Sequence, residues 1–535
     1  MGWFDFLLSK PEKKVATRGV VFHNTLSSSR EAFEPLSPGV VKMYNCGPTV
    51  YGVQHIGNLS MFVFTDLLRR TLEYAGYEVR QVINITDFGH LTSDADEGED
   101  KMTKGLKRDG LKPTLENMRT MAEKYTEVFL GDLRSLNANL KGTKFPRASD
   151  HIPGQIAMIK ALMEKEYAYE TAHGVYFDTS RFSAYGALGN IDLENQKEGA
   201  RVAANAEKRH PTDFVLWKST ADTEHSQKAS DARRGESDDR DVRNGTTRKT
   251  QGPRNDADDT SGRAPIGWDS PWGKGFPGWH IECSAMIRAI LGEQIDVHTG
   301  GVEHIPVHHN NEIAQSEAAT GKKPLARFWL HRAHLQLEGG KMAKSEGNVI
   351  YLSDILEKGF APMSFRYALL GAHYRQPSSF TWDALAAAQT AYLKLRKLAD
   401  TLPEDGNIPQ DYKNRFQACV FDDLDTAGAL AVVWEMVKDA DLAPKNLRAG
   451  LLDFDTVLGL GLSKEDADAR ALWEKEFGVV VSSSEIPIPI QELLAKREAA
   501  RAEKKWADAD TARSQIENAG YIIEDTADGP RVVKK

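Results

Sequence analysis

Between residues 40 and 90 the apolar positions change period twice. "GVVKMYNCGP" is a short apolar run that ends in a Gly-Pro turn, "MFVFTDLLRRTLEYAG" repeats its apolar residues every three or four and stops at Gly76, and "YEVRQVINITD" returns to strand-like text. This succession predicts a strand, an amphipathic helix and a second strand. Such a βαβ unit implies an α/β fold built on a parallel sheet. Ligands then belong at the carboxyl ends of the strands, where "YNCGPTVYG" and "NITDFGH" fall.

After about Ser379 the pattern becomes helical: "WDALAAAQTAYLKLRKLADTL", "FDDLDTAGALAVVWEMVKDA" and "IQELLAKREAARAEKKWADADTARSQIENAG", with Pro and Gly in the gaps. Residues 221–265 break both patterns. Apart from Val242 they hold no large aliphatic or aromatic residue, so they cannot bury enough surface to offset the entropy of ordering, and they read as a disordered insertion in a loop.

A chain of 535 residues exceeds what one hydrophobic core supports, which implies about two to four domains. The N-terminal text has no secretory pattern and no segment approaches the ~18 apolar residues of a membrane span, so the expectation is a cytoplasmic protein without membrane contact. Three dispersed cysteines, Cys46, Cys283 and Cys419, cannot form a disulfide framework. A net charge of −9 excludes a generically basic nucleic-acid binder and confines any polyanion to a local patch.

Three constellations can carry chemistry. In "CGPTVYGVQHIGN", His55 and Gly57 precede a helix and put an imidazole and free backbone N–H groups at an anion site; a loop histidine beside a capping residue is the plainer alternative. In "GGKMAKSEGN", Lys341 and Lys344 stand three apart on a glycine-rich loop and suit a phosphate chain, although lysine pairs are more often solvated surface. In "VHHNNE", His308 and Glu312 are four apart and share a helix face. With Cys283 and, as the fourth donor, Cys46, they would suit zinc; a small buried core cysteine is the alternative.

"YNCGPTVYGVQHIGN", "NITDFGH", "SPWGKGFPGWHIECSAM", "VHHNNEIAQSEA" and "KMAKSEGN" occur together and in order, and jointly resemble cysteinyl-tRNA synthetase, a class I aminoacyl-tRNA synthetase family. "HIGN" corresponds to the family's HIGH motif and "KMAKS" to KMSKS. The resemblance covers most of the chain, including "AKREAARAEKKWADADTARSQIENAGYIIEDT", and leaves residues 221–265 unexplained. It implies a Rossmann-type catalytic domain in two halves (1–145 and 266–320) around a connective insertion (146–265). A KMSKS-loop region (321–378), a helical bundle (379–475) and an anticodon-recognition region (476–535) would follow.

The resemblance further implies one Zn2+ per chain on Cys46, Cys283, His308 and Glu312, binding the thiolate of substrate cysteine. Serine is a near-isostere that a shape pocket rejects only by roughly a hundredfold; a metal–sulfur bond discriminates more strongly. Thr86, Trp279, His298 and Glu303 would surround the amino acid. Gly47, Thr49, His55, Asn58 and Lys344 would bind ATP, supplied with Mg2+, and His55, Lys341 and Lys344 would be catalytic. Glu303 stands where the family carries Asp, Asn58 where it carries the last His of HIGH, and Ala343 where it carries Ser. The expected partners are L-cysteine, ATP and tRNA(Cys), and the expected state is a monomer.

Two rivals remain at this level. A related ligase could pass activated cysteine to a small amine, and a zinc-stabilised RNA-binding protein could lack catalysis. The basic run Lys496, Arg497, Arg501, Lys504, Lys505 and Arg513, interleaved with Trp506, suits phosphate contacts and base stacking, which favours a tRNA acceptor; a solvated helix face is its plain reading.

Overall fold

The structure, a computed structural model, describes residues 19–88, 101–191, 207–220, 266–337, 349–481, 485–526 and 529–534. The 221–265 insertion and the loop bearing Lys341 and Lys344 lie outside the described residues. The apolar run after Gly39 forms β1 (Val40–Asn45), and its last three residues are buried on both faces. Helix α1 (Ile56–Tyr74) carries the chain to β2 (Glu78–Ile83), which pairs with β1 in parallel register from Val40↔Glu78 to Asn45↔Ile83. After a long excursion the chain returns through α2 (Trp279–Ile290) to β3 (Ile295–Gly301), then α3 (Asn310–Thr320) and β4 (Ala326–Arg332). The sheet is parallel throughout, in the order β4-β3-β1-β2. The chain leaves β1 toward β2 on one side and comes back to β3 on the other. The crevice beyond the carboxyl ends of β1 and β3 is therefore the topological switch point, the place where such sheets bind ligands.

Two of the expected divisions fall elsewhere in the structure. The excursion builds a four-stranded antiparallel sheet from Ala168–Thr171, Gly174–Phe177, Phe214–Ser219 and Gly275–Pro277. Its last strand lies beyond the division at 265, because Trp217 pairs with Pro277 across the gap in description. The parallel sheet likewise runs past the division at 320, since "ARFWLHR" is the edge strand β4, with Trp329 opposite His298.

The text of α1 predicts an amphipathic helix, yet it is buried on nearly every side. Leu59, Phe62 and Val63 pack in a core with Met118, Met121 and Phe129, while Phe64, Leu68 and Leu72 pack with Tyr392, Phe416, Val433 and Phe454 of the C-terminal helices. Those helices, Trp382–Thr401, Gln410–Val420, Thr426–Lys438, Pro444–Leu458 and Ala467–Phe477, therefore share one apolar core with the parallel sheet. The end of the chain adds helices Ile488–Ala502 and Trp506–Asn518 and a small antiparallel sheet of Val479–Val480, Gly529–Lys534 and Tyr521–Thr526 around its own core of Ile490, Ile516, Ile523 and Val532. Among the described residues no helix is long and apolar enough to cross a membrane.

A buried ion pair joins α1 to the helical region. Arg366, fully buried, donates to Asp66 Oδ2 (2.6 Å), to Leu458 O (2.7 Å) and to Leu136 O (3.0 Å). Asp66 also accepts from Arg70 and from the Asn139 N–H. Burial alone would push the Asp66 carboxyl up, but Arg366 and Arg70 hold it below its ordinary value. Removing one member of a buried pair leaves an uncompensated charge, so Arg366→Met is expected to lower stability by about 3–5 kcal/mol in denaturant titration. A folded-state pKa below the unfolded one contributes stability above the unfolded value that is lost as pH falls through the folded value. Asp66→Asn is therefore expected to be less stable than the parent at neutral pH and to lose less on acidification; parallel acid-unfolding curves would contradict this.

Candidate functional site

The crevice at the strand ends holds a buried cluster and, beside it, an open cavity. Cys46 follows β1 directly, its N–H bonded to Thr299 O of β3 (3.1 Å). The turn is tightened by Gly47, whose N–H donates to Asn84 Oδ1 (2.7 Å); a Cβ at this position would lie 1.6 Å from the Asn84 carbonyl oxygen, which only glycine avoids. Cys283 lies in the second turn of α2. The entry to that helix is fixed by the Gly278 N–H bonded to Leu216 O of the antiparallel sheet (2.9 Å). Before α3 the backbone widens into a π turn over Ile305–His309, a distortion that recurs at functional sites. It delivers two consecutive histidines, His308 and His309, to the interior, together with Glu312 from the first turn of α3.

Donor atoms of Cys46, Cys283, His308 and Glu312 all lie within 4.8 Å of one another. His308 Nε2 is 2.9 Å from Glu312 Oε1, and Cys46 Sγ is 3.9 Å from the same oxygen. A second set, Cys46, His298, His309 and Glu312, meets the same distance criterion, so His309 is not merely a bystander: its Nε2 is 3.3 Å from Cys46 Sγ. Hydrogen bonds from outside orient the donors of both sets. His298 Nε2 holds the other carboxylate oxygen, Oε2, at 3.0 Å and turns Oε1 toward the thiols. His280 Nδ1 meets His308 Nδ1 at 2.9 Å and leaves Nε2 facing the cluster. His309 Nδ1 is tied to His331 Nε2 (2.7 Å), and His331 Nδ1 to Thr25 Oγ1 (2.8 Å). Such outer partners fix the rings and carboxylates that ligate metals.

The electrostatics are those of a buried group of donors that could hold a cation. Burial would push the Glu312 carboxyl up, but His298 and His308 bring it down to about 2. Burial would likewise lower His308, and the Glu312 charge instead raises it to about 10. Burial, then the Cys283 sulfur, push the Cys46 thiol well up, whereas the hydrogen bond from Cys46 brings Cys283 down to about 7. Burial drives His309 and His331 well below the usual histidine value. The buried anions are thus partly balanced by a proton on His308, a charge that a divalent ion on the same donors can replace. Two thiols, an imidazole and a carboxylate are a zinc donor set.

Three of the four residues expected around the amino acid approach this cluster. The Trp279 ring lies 4.4 Å from that of His308, with Lys101 Nζ 5.6 Å over its face. His298 stacks on Trp329 at 4.5 Å, and Thr86 Oγ1 donates to Glu282 Oε2 (3.0 Å), next to Cys283. Glu303 is elsewhere. It is exposed, sits on the rim of the open cavity and faces His334 Nδ1 at 3.6 Å.

That cavity, about 160 Å³, is lined by the first turns of α1 and the ends of β3 and β4, including His55, Asn58 and Arg332. His55 is itself the N-cap of α1: its Nδ1 accepts from the Asn58 N–H (3.2 Å), which leaves the proton of a neutral ring on Nε2. Gly47 and Thr49 lie on the turn after β1 and are not among the residues lining this cavity; the Val50 N–H that follows them is bonded to Thr86 O (3.1 Å). Lys341 and Lys344 are outside the described residues.

The basic run near the end of the chain is changed by the fold. Arg497 is buried and bidentate to Asp525 (2.9 and 2.7 Å), Arg501 reaches the same carboxylate (2.6 Å), Lys505 pairs with Glu503 and Arg513 with Glu517. Arg497 and Arg501 therefore tie their helix to the strand that carries Asp525, whereas the other two pairs are local and exposed, and Trp506, 60% exposed, is the part of the run most open to an external ring. Reading the sequence also passed over His280, Glu282, His331 and Arg332; the histidines in "GWHIEC" and "WLHRAH" were the available signal.

Comparison with known proteins gives these residues a context. A family model described as the class I (C) tRNA synthetase catalytic domain matches residues 32–237 and 239–390, and one described as the cysteinyl-tRNA ligase anticodon binding domain matches residues 483–531. Cysteine–tRNA ligase 1 of Burkholderia lata is 44% identical over 515 residues, covering 96% of each chain. The cysteine–tRNA ligases of Treponema denticola and Thermus thermophilus are each 38% identical, over 94% and 96% of this chain and 97% and 99% of theirs. Among solved structures, the methionyl-tRNA synthetase of Mycobacterium tuberculosis bound by methionyl-adenylate superposes with a TM-score of 0.50 at 13% identity, covering 81% of this chain and 93% of that one, a likeness of fold.

Proposed function

Because the chain belongs to the cysteine–tRNA ligases among the class I aminoacyl-tRNA synthetases, we propose that it activates L-cysteine with MgATP and esterifies tRNA(Cys), selecting cysteine at Cys46, Cys283, His308 and Glu312. The observation that carries this reading is the buried four-donor cluster set beside an open cavity at the ends of the same strands. Cys46, Cys283, His308 and Glu312 would hold a zinc ion, which would supply a Lewis acid with affinity for the thiolate of cysteine and little for the hydroxyl of serine.

The chain's own residues do the rest by position and charge. Trp279, Thr86 and His298 shape the amino-acid side of the crevice, and Glu303 offers a carboxylate to the ammonium group from the cavity rim. His55, fixed as the cap of α1, presents Nε2 and the helix N-terminus to the phosphates, with Asn58 beside it and Gly47 and Thr49 on the turn after β1. A cysteine carboxylate oxygen attacks the α-phosphorus and pyrophosphate leaves, while Lys341 and Lys344 follow the charge that develops on the phosphoryl oxygens. A ribose hydroxyl of the terminal adenosine then attacks the acyl carbon and AMP leaves. No protein nucleophile is required, and the acceleration comes from orientation and preorganised charge.

The match at residues 483–531 favours a tRNA over a small amine as acceptor, with the terminal domain as the anticodon-facing part. Exposed Trp506 is its available stacking surface. The reading includes action as a cytoplasmic monomer.

Cysteine-dependent exchange of labelled pyrophosphate into ATP tests activation, and charging of tRNA(Cys) with cysteine against serine tests transfer; no exchange would remove the reading. His308→Ala is expected to lose bound zinc and cysteine-over-serine selectivity together, with zinc content measured by elemental analysis; unchanged metal content in a folded variant would overturn the ligand assignment. Lys344→Ala is expected to slow adenylate formation by roughly 100-fold or more with zinc retained, checked by single-turnover kinetics.

A further inference from the structure

Arg332 ends β4, opposite Gly301 of β3, and is only 6% exposed. Arginine is rarely buried without partners, because a desolvated guanidinium is costly unless its N–H groups find acceptors. The other buried arginines among the described residues obey this. Arg366 has Asp66 and two carbonyls, Arg69 has Glu73, Gln81, Thr143 and two carbonyls, Arg396 has Asp400 and the Gly461 carbonyl, and Arg497 has Asp525 and Glu498. Arg332 departs from the pattern. Its Nε donates to Ser60 Oγ (3.1 Å), which in turn donates to Gly57 O (2.7 Å), and among the described residues its guanidinium has no other hydrogen bond and no carboxylate within ion-pair distance.

The side chain lines the open cavity beside the first turns of α1. The carboxylate of that cavity, Glu303, stands on its rim, 3.6 Å from His334 Nδ1 and folded against Gly301, where a Cβ would meet Glu303 Oε2 at 2.2 Å, and it makes no ion pair with Arg332. Burial with no anion at hand pulls Arg332 down to about 10, so it remains a cation at neutral pH. Ser60 orients the guanidinium by Nε; the terminal N–H groups make no hydrogen bond among the described residues, and the residue lines both this cavity and a smaller apolar one of about 10 Å³ bordered by Val63, Phe64, Leu67 and Leu369.

We propose that Arg332 is a nucleotide-binding residue, its terminal N–H groups donating to acceptor atoms of the ATP that enters this cavity. The inference rests on the reading of the cavity as the ATP site, and it deepens that reading by one residue. Ring nitrogens, ribose oxygens and phosphate oxygens offer the same acceptor chemistry, and their contributions are separable.

The full-length wild type, Arg332→Met and Arg332→Lys are compared in cysteine-dependent pyrophosphate exchange, with zinc content and melting temperature measured alongside. Arg332→Met is expected to raise KM for ATP by about tenfold or more, the scale of a lost charge-assisted hydrogen bond, with KM for cysteine and zinc content unchanged and partial recovery in Arg332→Lys. Equilibrium binding then locates the contact: weaker ATP with unchanged adenosine marks phosphate, and weakening of both marks the ring or ribose. An unchanged KM for ATP in a folded Arg332→Met, or an equal rise in KM for cysteine, overturns the proposal. Should the variants not fold, wild-type protein treated with an arginine-directed dicarbonyl and mapped by mass spectrometry decides it: ATP should slow modification of Arg332 where cysteine alone does not, and equal rates refute the contact. Absence of exchange in the wild type would remove the parent reading, and the ATP-protection measurement would still judge Arg332.

Discussion

A carboxylate with no exposure to water constrains everything around it. Glu312 is completely buried, and an isolated charge in that setting costs several kcal/mol even after the protein relaxes. The fold answers by bringing cationic and polar groups to its two oxygens from separate elements: His308 from the π turn, His298 from β3 and Cys46 from the end of β1. Each needs its own backbone device. The π turn sets two consecutive histidines inward, Gly47 lets the β1 turn close on Asn84, and Gly300 leaves room for His309, whose ring would lie 2.5 Å from a Cβ there.

The buried cluster and the open cavity are two recognition problems solved on one strand. β3 gives His298 to the cluster and Gly301 to the cavity wall, three residues apart. On the cluster side water is excluded and donor softness can discriminate between two small side chains. On the cavity side, in the function proposed above, a large, charged, hydrated nucleotide would enter and leave, and recognition there would rely on hydrogen-bond donors around an accessible space.

Much of this was legible in the chain wherever the relevant contacts are local. The change of apolar period marked β1, α1 and β2, and the four-residue spacing of His308 and Glu312 marked a shared face, which survives the widening of the helix into a π turn. Cys46 could be joined to Cys283 only as a supposition, because the parallel sheet that unites them is formed by segments more than 200 residues apart. The text after Ser379 read as helical, and seven helices stand there among the described residues, but the alternation in "YIIEDTADGPRVVK" and its Asp-Gly pair also signalled the strands Tyr521–Thr526 and Gly529–Lys534. The basic run misled for a related reason: a lysine or arginine looks the same in sequence whether it faces a polyanion or, like Arg497, a carboxylate 28 residues on. Arg332 drew no notice because partnerlessness is a property of three-dimensional surroundings.

The clamp of Arg366 on Asp66 makes α1 a lever. Its fulcrum lies about ten residues from Ile56, or roughly 15 Å along the axis at 1.5 Å per residue, and His55 rides at the N-terminal end beside the cavity, where the Ile56 N–H donates to Ile350 O (2.9 Å). A tilt of about 5° at the clamp would carry that imidazole by roughly 1.3 Å, and misplacements of about 1 Å at a reacting centre are costly. The helical region and the wall of the cavity are therefore joined through one helix. A displacement of those helices at the clamp would reach the imidazole that lines the cavity.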